Sequence, residues 1–295
     1  MSDEQMIKQF DKARMLGFCA EVLKTISSGS IYVAVNKGNK KGYIYIPSDV
    51  RRTSFDADTK YKLSELIKDA NIKVYGGENL DNTHRLFSNL HCESIDFTSF
   101  EAHKIRNADA MFQMSRGKID IRNLDTSHIV TAGAMFADNP ELEISTEYLN
   151  FQSLKNAKDM FTRTEIKPGC KLELKDCGTH LLENTEYMFS NFMADELIID
   201  TDVREVEYAA QMFSHCKIKK LTLRNFRLIS ADDISDFMYA STFDELILDN
   251  FEFSNWIMDK RMFTRVFKWC IYKKITCNNV DNRLRLFLEE RVNNE

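Results

Sequence analysis

Proline and glycine are scarce in this chain. Three prolines and ten glycines in 295 residues leave little room for long flexible linkers, which are rich in one or the other. No run of 18 apolar residues occurs, so no membrane-spanning helix is expected. The opening residues, MSDEQMIKQFDKARM, hold acids and lack the apolar centre of a secretion signal. The expectation is therefore a cytoplasmic protein, in the host cytoplasm if the source is a virus. No Walker loop, dinucleotide fingerprint, nucleophile elbow or H-E-x-x-H is present. The six histidines fall in different repeats or at different repeat positions and form no obvious ladder. Catalytic residues, metal ligands and cofactors are accordingly expected to be none, and the chain is read as a non-enzyme.

None of the seven cysteines is spaced C-x-x-C, which argues against paired-spacing zinc sites. Cys170/Cys177 and Cys270/Cys277 share a seven-residue offset. A disulfide or metal clip there stays open beside the reading of small buried apolar side chains.

What the sequence does have is a recurring pair. Met-Phe stands at Met111-Phe112, Met135-Phe136, Met160-Phe161, Met188-Phe189, Met212-Phe213 and Met262-Phe263. Leu86-Phe87 precedes the series and the inverted Phe237-Met238 fills its gap, giving steps of 25, 24, 25, 28, 24, 25 and 25 residues. A fixed period in this range marks a stacked repeat array. Apolar-x-apolar triplets follow most pairs, among them Ile119-Asp120-Ile121, Leu197-Ile198-Ile199 and Leu221-Thr222-Leu223. Such alternation predicts a short half-buried strand. The three- and four-residue spacing of Ile105, Ala108 and Met111-Phe112 predicts a short helical or 3₁₀ turn before each pair. A single unit has no means of burying its own apolar face, so stacked units form parallel strands and a continuous Phe column. Eight units spaced about 4.8 Å apart predict a rod on the order of 40 Å long.

Asn-Leu-Asp-Thr-Ser-His-Ile-Val-Thr-x-x-x-Met-Phe at 123–136, and the Met-Phe-x-x-Cys ending at 212–216, resemble the leucine-rich repeat of the BspA-like, mycoplasma-lipoprotein type. The resemblance spans about residues 83–263. It implies a binding role, which in that family is commonly exercised at a surface on host molecules.

The fold class expected is an α/β repeat solenoid: a leucine-rich-repeat-like parallel sheet with short helical turns, capped by a small N-terminal α+β domain. Residues 1–80 form that cap, 81–264 the solenoid of 24–28-residue units, and 265–295 a C-terminal capping strand and helix. In the cap, Met6, Phe10, Ala13, Leu16, Ala20 and Leu23 predict one amphipathic helix. Strands at 31–35 and 43–46 flank a hairpin loop, a second helix follows at about 57–70, and Asn71–Tyr75 leads into the array. At the other end Asp281-Asn282 is placed to cap a helix carrying Leu284, Phe287, Leu288 and Val292. That segment either covers the last repeat or forms a homo-oligomer contact.

Two groups are candidate partner-binding residues. Lys37, Lys40, Lys41, Arg51 and Arg52 are the densest basic group. Lys167, Pro168 and Gly169 lie in the 28-residue step, the one break in rhythm. Residues 1–80 hold 13 Lys/Arg against 10 Asp/Glu, and residues 81–295 hold 27 against 35. The acidic body argues against general nucleic-acid binding. The leading reading is a non-enzymatic cytoplasmic protein-interaction module. Its concrete form is an inhibitor that binds and blocks a larger host complex, for example a phage anti-defence protein acting on a bacterial immune complex such as Gabija. The second reading is a bacterial or viral surface adhesin of the repeat family. The third is a nucleic-acid or enzymatic role of the basic N-terminal region.

Overall fold

The computed structural model describes every residue except 1–2, 27–28, 54, 255, 257–259 and 293–295. The chain opens with α1 (Asp3–Met15), β1 (Cys19–Lys24), β2 (Ser30–Asn36), β3 (Lys41–Ile46), α2 (Ala57–Ile67) and β4 (Asn71–Gly76). Strands β1, β2 and β3 are antiparallel neighbours, and β4 pairs parallel to β3. The single long helix expected from Met6 to Leu23 is cut short. Gly17 adopts φ +78°, and the amides of Leu16, Gly17 and Phe18 turn back onto Ala13 and Arg14 carbonyls, closing the helix in a left-handed cap. Ala20 and Leu23 therefore lie on β1, where Leu23 still reaches the core.

From β4 onward all pairing is parallel. The strands are β5 (His91–Phe100), β6 (Arg116–Asp120), β7 (Glu143–Ile144), β8 (Lys171–Lys175), β9 (Met193–Asp200), β10 (Lys217–Arg224), β11 (Arg227–Leu228), β12 (Thr242–Asp249), β13 (Glu252–Phe253) and β14 (Ile271–Asn278). They form a seven-stranded sheet in the order β1 to β7, a five-stranded sheet β14-β12-β10-β9-β8, and the small pair β11-β13. The first sheet runs unbroken from the N-terminal strands into the array. In-register triplets stack apolar on apolar: Leu172, Leu197, Leu221, Leu246 and Ile275 form one buried or half-buried row.

The architecture is a parallel β-solenoid of eight coils, and the leucine-rich-repeat detail is corrected by it. No helix leads directly into the Met-Phe pairs from Leu86 to Phe237; the one 3₁₀ turn in this stretch, Thr146–Tyr148, lies farther back in its coil. Two consecutive hydrogen-bonded turns take the helix's place. Met111 N–H bonds Ala108 O and Gln113 N–H bonds Ala110 O, each at 3.1 Å. These i→i+3 turns give the same three-residue spacing as a helical face, which is why the sequence pattern misleads. Two left-handed residues in each of the first seven coils stop a helix from forming, and the eighth keeps only the second. One precedes each Met slot (Arg85, Ala110, Ala134, Asp159, Tyr187, Gln211, Asp236). The other lies two after each Phe slot (Asn89, Met114, Asp138, Arg163, Asn191, His215, Ala240, Trp269). Each left-handed non-glycine residue costs about 1–2 kcal/mol. Most are held by an intercoil bond such as Ala110 N–H to Gly133 O (2.7 Å) or Asn89 N–H to Gln113 O (2.7 Å), each contributing about 0.5–1.5 kcal/mol. Cost and gain nearly cancel, so apolar burial decides the stability of a coil.

That burial is the Phe column. Phe87, Phe112, Phe136, Phe161, Phe189 and Phe213 are fully buried and stack ring on ring at 5.2–5.7 Å, with planes within 11° of parallel. The column turns edge-on at Phe237, 77° from Phe213. There the inverted pair puts Phe237 in the Met slot: Phe213 N–H bonds Phe237 O, and Met238 N–H bonds Val266 O. The eighth slot is consequently Val266-Phe267, with Trp269 as its left-handed residue. Met262-Phe263, counted above as the last repeat pair, instead lies on α3 (Lys260–Val266).

In four coils the position three after the Phe slot carries a buried polar rung. Ser115 Oγ donates to Phe87 O (2.5 Å), Thr164 Oγ1 to Phe136 O (2.6 Å), Cys216 Sγ to Phe189 O (2.9 Å), and Ser241 Oγ to Phe213 O. The Cys of Met-Phe-x-x-Cys is thus a small donor satisfying a buried carbonyl of the preceding coil. All seven cysteines are free thiols, and burial pushes Cys216 up to about 12.

Because the intercoil bonds of the Met-Phe turns, such as Arg85 N–H to Asp109 O and Phe87 N–H to Met111 O, run from the N–H of one coil to the C=O of the next, the two ends of that turn stack differ chemically. The first coil presents carbonyls. They are met by Thr53 N–H on Asn82 O, by Lys60 Nζ on Arg85 O (2.8 Å) and Leu86 O (2.7 Å), and by Ser64 Oγ on Asn89 O (3.3 Å). At the last coil, α3 supplies Phe263 O as acceptor for Phe267 N–H (3.0 Å). Helix α4 (Asn282–Val292) starts where Asp281 accepts from Arg283 N–H, buries Leu284 and Leu288, and receives Tyr272 Oη on Leu288 O (2.8 Å).

Candidate functional site

Four strands of the second sheet turn two adjacent residues outward between two inward ones. The doublets are Asp195-Glu196 on β9, Lys219-Lys220 on β10, Asp244-Glu245 on β12 and Lys273-Lys274 on β14. Parallel in-register coils bring equivalent side chains about 4.8 Å apart. A repeated charge would therefore face its own kind, which is destabilising. Alternation of sign removes that conflict. Lys219 Nζ lies 2.6 Å from Asp195, Lys220 3.0 Å from Glu196, Lys273 2.7 Å from Asp244 and Lys274 2.5 Å from Glu245. Lys219 holds the Asp195 carboxyl below its usual range, and Lys274 does the same for Glu245. A second alternating column, Lys175, Asp200, Arg224 and Asp249, runs along the other end of the strands. This wall is neutralised from within. Exposed pairs of this kind contribute at most about 1 kcal/mol each, so their main effect is to keep the wall free of net charge.

The wall breaks where the repeat does. Strand β7 is not hydrogen-bonded to β8; single bridges, Leu142 to Ile166 and Glu165 to Met193, carry the ladder across. Lys167, Pro168 and Gly169 sit at this seam. Lys167 binds Glu143 at 2.7 Å, which also holds Lys118 at 3.1 Å. Gly169 takes φ +82° and donates its N–H to Asp195 (3.1 Å). Pro168 lines a groove of about 370 Å³ with Ile166, Met193, Ala194 and Ile218 on its floor and Asp195, Lys217, Lys219 and Asp244 on its rim. A second, more polar groove of about 790 Å³ opens on the β6 side around Arg116, Lys118, Glu143 and Lys167.

The basic N-terminal residues do not form one patch. Lys37 Nζ donates to Glu65 O (3.1 Å) and Leu66 O (2.8 Å), closing the C-terminus of α2. Lys40 and Lys41 lie at the hairpin end of β3, whereas Arg51 and Arg52 follow its other end, a strand length of about 17 Å away. Arg52 is paired with Asp81 at 3.8 Å.

The fold also joins residues that stand apart in the sequence. His103 and His128 occupy the same coil position 25 residues apart, and both approach Asp125 (3.6 and 3.7 Å). Ser127 Oγ donates to Asp125 (2.6 Å) and lies 3.0 Å from His128 Nδ1. Asp125 there closes a turn by accepting Ser127 N–H as well, and both histidines are exposed. Among the described residues no three His, Cys, Asp or Glu side chains converge on a metal-sized site. No helix among them is long and apolar enough to cross a membrane. The doublets were legible as D-E-L, K-K-L, D-E-L and K-K-I at 195–197, 219–221, 244–246 and 273–275. The Met-Phe register, followed seven or eight residues further along each coil, leads to them.

No curated protein and no solved structure matches the chain. A family described as Mycoplasma protein of unknown function, DUF285, matches three times, at residues 57–168, 81–194 and 167–271. The first two matches begin 24 residues apart, the length of one coil, as a repeat family must when slid along its own array. Together they run from α2 to the start of β14 and agree with the BspA-like resemblance. The chain belongs to the DUF285 family.

Proposed function

We propose that the chain is a non-enzymatic protein-interaction module whose primary contact is the groove at the seam between the two sheets. The observation that carries this is the contrast between the groove and its surroundings. An apolar floor containing Pro168, Met193 and Ile218 interrupts a wall whose charges are otherwise paired. Interfaces draw their energy from a few such apolar anchors within a polar rim. Within this class the finer reading is a cytoplasmic inhibitor that covers part of a larger host complex. Its support is a rigid array with a self-neutralised face, and the groove favours no one complex over another.

The test is affinity capture with the full chain from extracts of its source, comparing wild type with Met193→Arg. Met193 is 37 % exposed, so the substitution leaves the core intact. A protein recovered at stoichiometric amount by wild type and at least about tenfold less by the variant is the expected result. Equal recovery with both, or no protein partner at all, overturns the reading.

A further inference from the structure

We propose that the C-terminal end of the array docks an acidic segment of a partner protein, which adds beside β14 and supplies the acidic doublet that the alternation leaves missing there. This rests on the protein-interaction reading and names the chemistry of a second contact.

Three observations converge. Lys219-Lys220 has acidic doublets on both sides, from β9 and β12. Lys273-Lys274 has one only, because β14 is the edge strand of its sheet. Lys273 and Lys274 are 75 % and 67 % exposed, against 68 % and 42 % for the enclosed Lys219 and Lys220, so the missing neighbour shows at the second lysine of the doublet. Second, net charge changes sign at this end. Residues 260–295 hold nine Lys/Arg against four Asp/Glu, whereas residues 81–259 hold 18 against 31. Third, the mouth of the strand carries an exposed apolar anchor. Trp269 is 63 % exposed, 5.0 Å from Tyr239, with Lys268 Nζ 4.7 Å from its ring, and Ile271 beside it is 47 % exposed. Trp and Tyr next to a cation are the composition of binding hot spots.

The occupant follows from the neighbouring coils. On β12 the solution to a lysine doublet is Phe243-Asp244-Glu245-Leu246, an acidic pair between two apolar residues. A partner strand of that pattern repeats the solution by edge addition, with main-chain bonds giving affinity and the doublet giving register. In a second copy of this chain the two strand doublets of this pattern, Asp195-Glu196 and Asp244-Glu245, each already lie between two paired strands. An extended polyanion such as nucleic acid meets repulsion from the acidic body beyond this end. A short acidic segment feels only charges within a Debye length of about 8 Å.

The experiment uses the full chain and a labelled peptide of the Thr242–Asp249 sequence, read by fluorescence anisotropy. A second peptide has lysine at the two acidic positions, and oligothymidylate serves as the nucleic-acid probe. Binding of the acidic peptide alone is expected. It should weaken by about tenfold in Lys273→Gln/Lys274→Gln, and also in Trp269→Ala, which leaves the ion pairs untouched and keeps the test open if the double variant is less stable. Equal binding of both peptides, binding unchanged by either variant, or oligothymidylate competing as well as the acidic peptide overturns the proposal. Partner capture that is lost in Met193→Arg but retained in Lys273→Gln/Lys274→Gln sinks this inference and leaves the seam reading standing.

Discussion

The two sheets stack the same coil by different means. The first starts from antiparallel β1, β2 and β3, shifts register at β4–β5 and β5–β6, and tapers to the two-residue β7. The second keeps one register through five parallel strands and carries the signed doublets. Yet the Phe column crosses the seam without a change: Phe136 to Phe161 is 5.2 Å and Phe161 to Phe189 is 5.3 Å. The strand wall is therefore free to vary as long as the column continues. Stability lives in the column, and the variation in the wall.

The largest expected effect tests that division. Phe136→Ala and Phe213→Ala should each cost about 3–5 kcal/mol in denaturant unfolding, whichever sheet their coil feeds. A loss confined to one of them would mean the sheets unfold as separate units.

Next comes the N-terminal end of the first sheet, where α2 meets the first coil. Burial, joined by the nearby Arg85 charge, pulls Lys60 down to about 7 from 10.5. An uncharged amine still has two N–H groups for its two carbonyl partners. With the folded pKa depressed, the folded chain sheds this proton before the unfolded one does. Stability is greatest above about 10.5 and is lost as pH falls toward 7, with a slope of up to about 1.4 kcal/mol per unit. Lys60→Met should flatten that slope in melts across the window; an unchanged slope would remove Lys60 as its source.

A smaller effect distinguishes rung from column. Ser241→Ala leaves the Phe213 carbonyl buried without its donor, at a cost of about 1–3 kcal/mol. Cys216→Ser keeps a donor in the same slot and should change the midpoint little. Comparable losses in both would mean the slot is set by volume and not by hydrogen bonding.

The smallest concerns the wall itself. Lys220→Glu sets three acids in a row with Glu196 and Glu245. It should lower the melting midpoint by about 2–4 °C at low salt, with recovery at high salt as screening sets in. A salt-independent shift would point to lost packing of the lysine stem.

Much of this was readable in advance, and the failures have physical causes. The Met-Phe period identifies the array because one slot per coil must be large and apolar. The turns were misread because a double turn and a helix share the three-residue step, and nothing in Ala110, Tyr187 or Gln211 announces a left-handed backbone. The last slot was missed because Met262-Phe263 imitates the period while α3 inserts before Val266-Phe267. The 28-residue step with its Pro168-Gly169 coincides with the break between the two sheets. The five basic residues near the N-terminus failed as a group because proximity in sequence spans the full length of β3. The doublets went unseen for another reason: each alone is an ordinary charged pair, and only its alternation from coil to coil has meaning.

That alternation also limits how such an array can change in length. Excising one coil from the second sheet would set acid against acid or lysine against lysine along the whole strand. Excising two would leave each doublet with an opposite neighbour. The heritable module of this half of the protein is then the coil pair, from Asp195 to the position before Asp244, and copy number should change there by even steps.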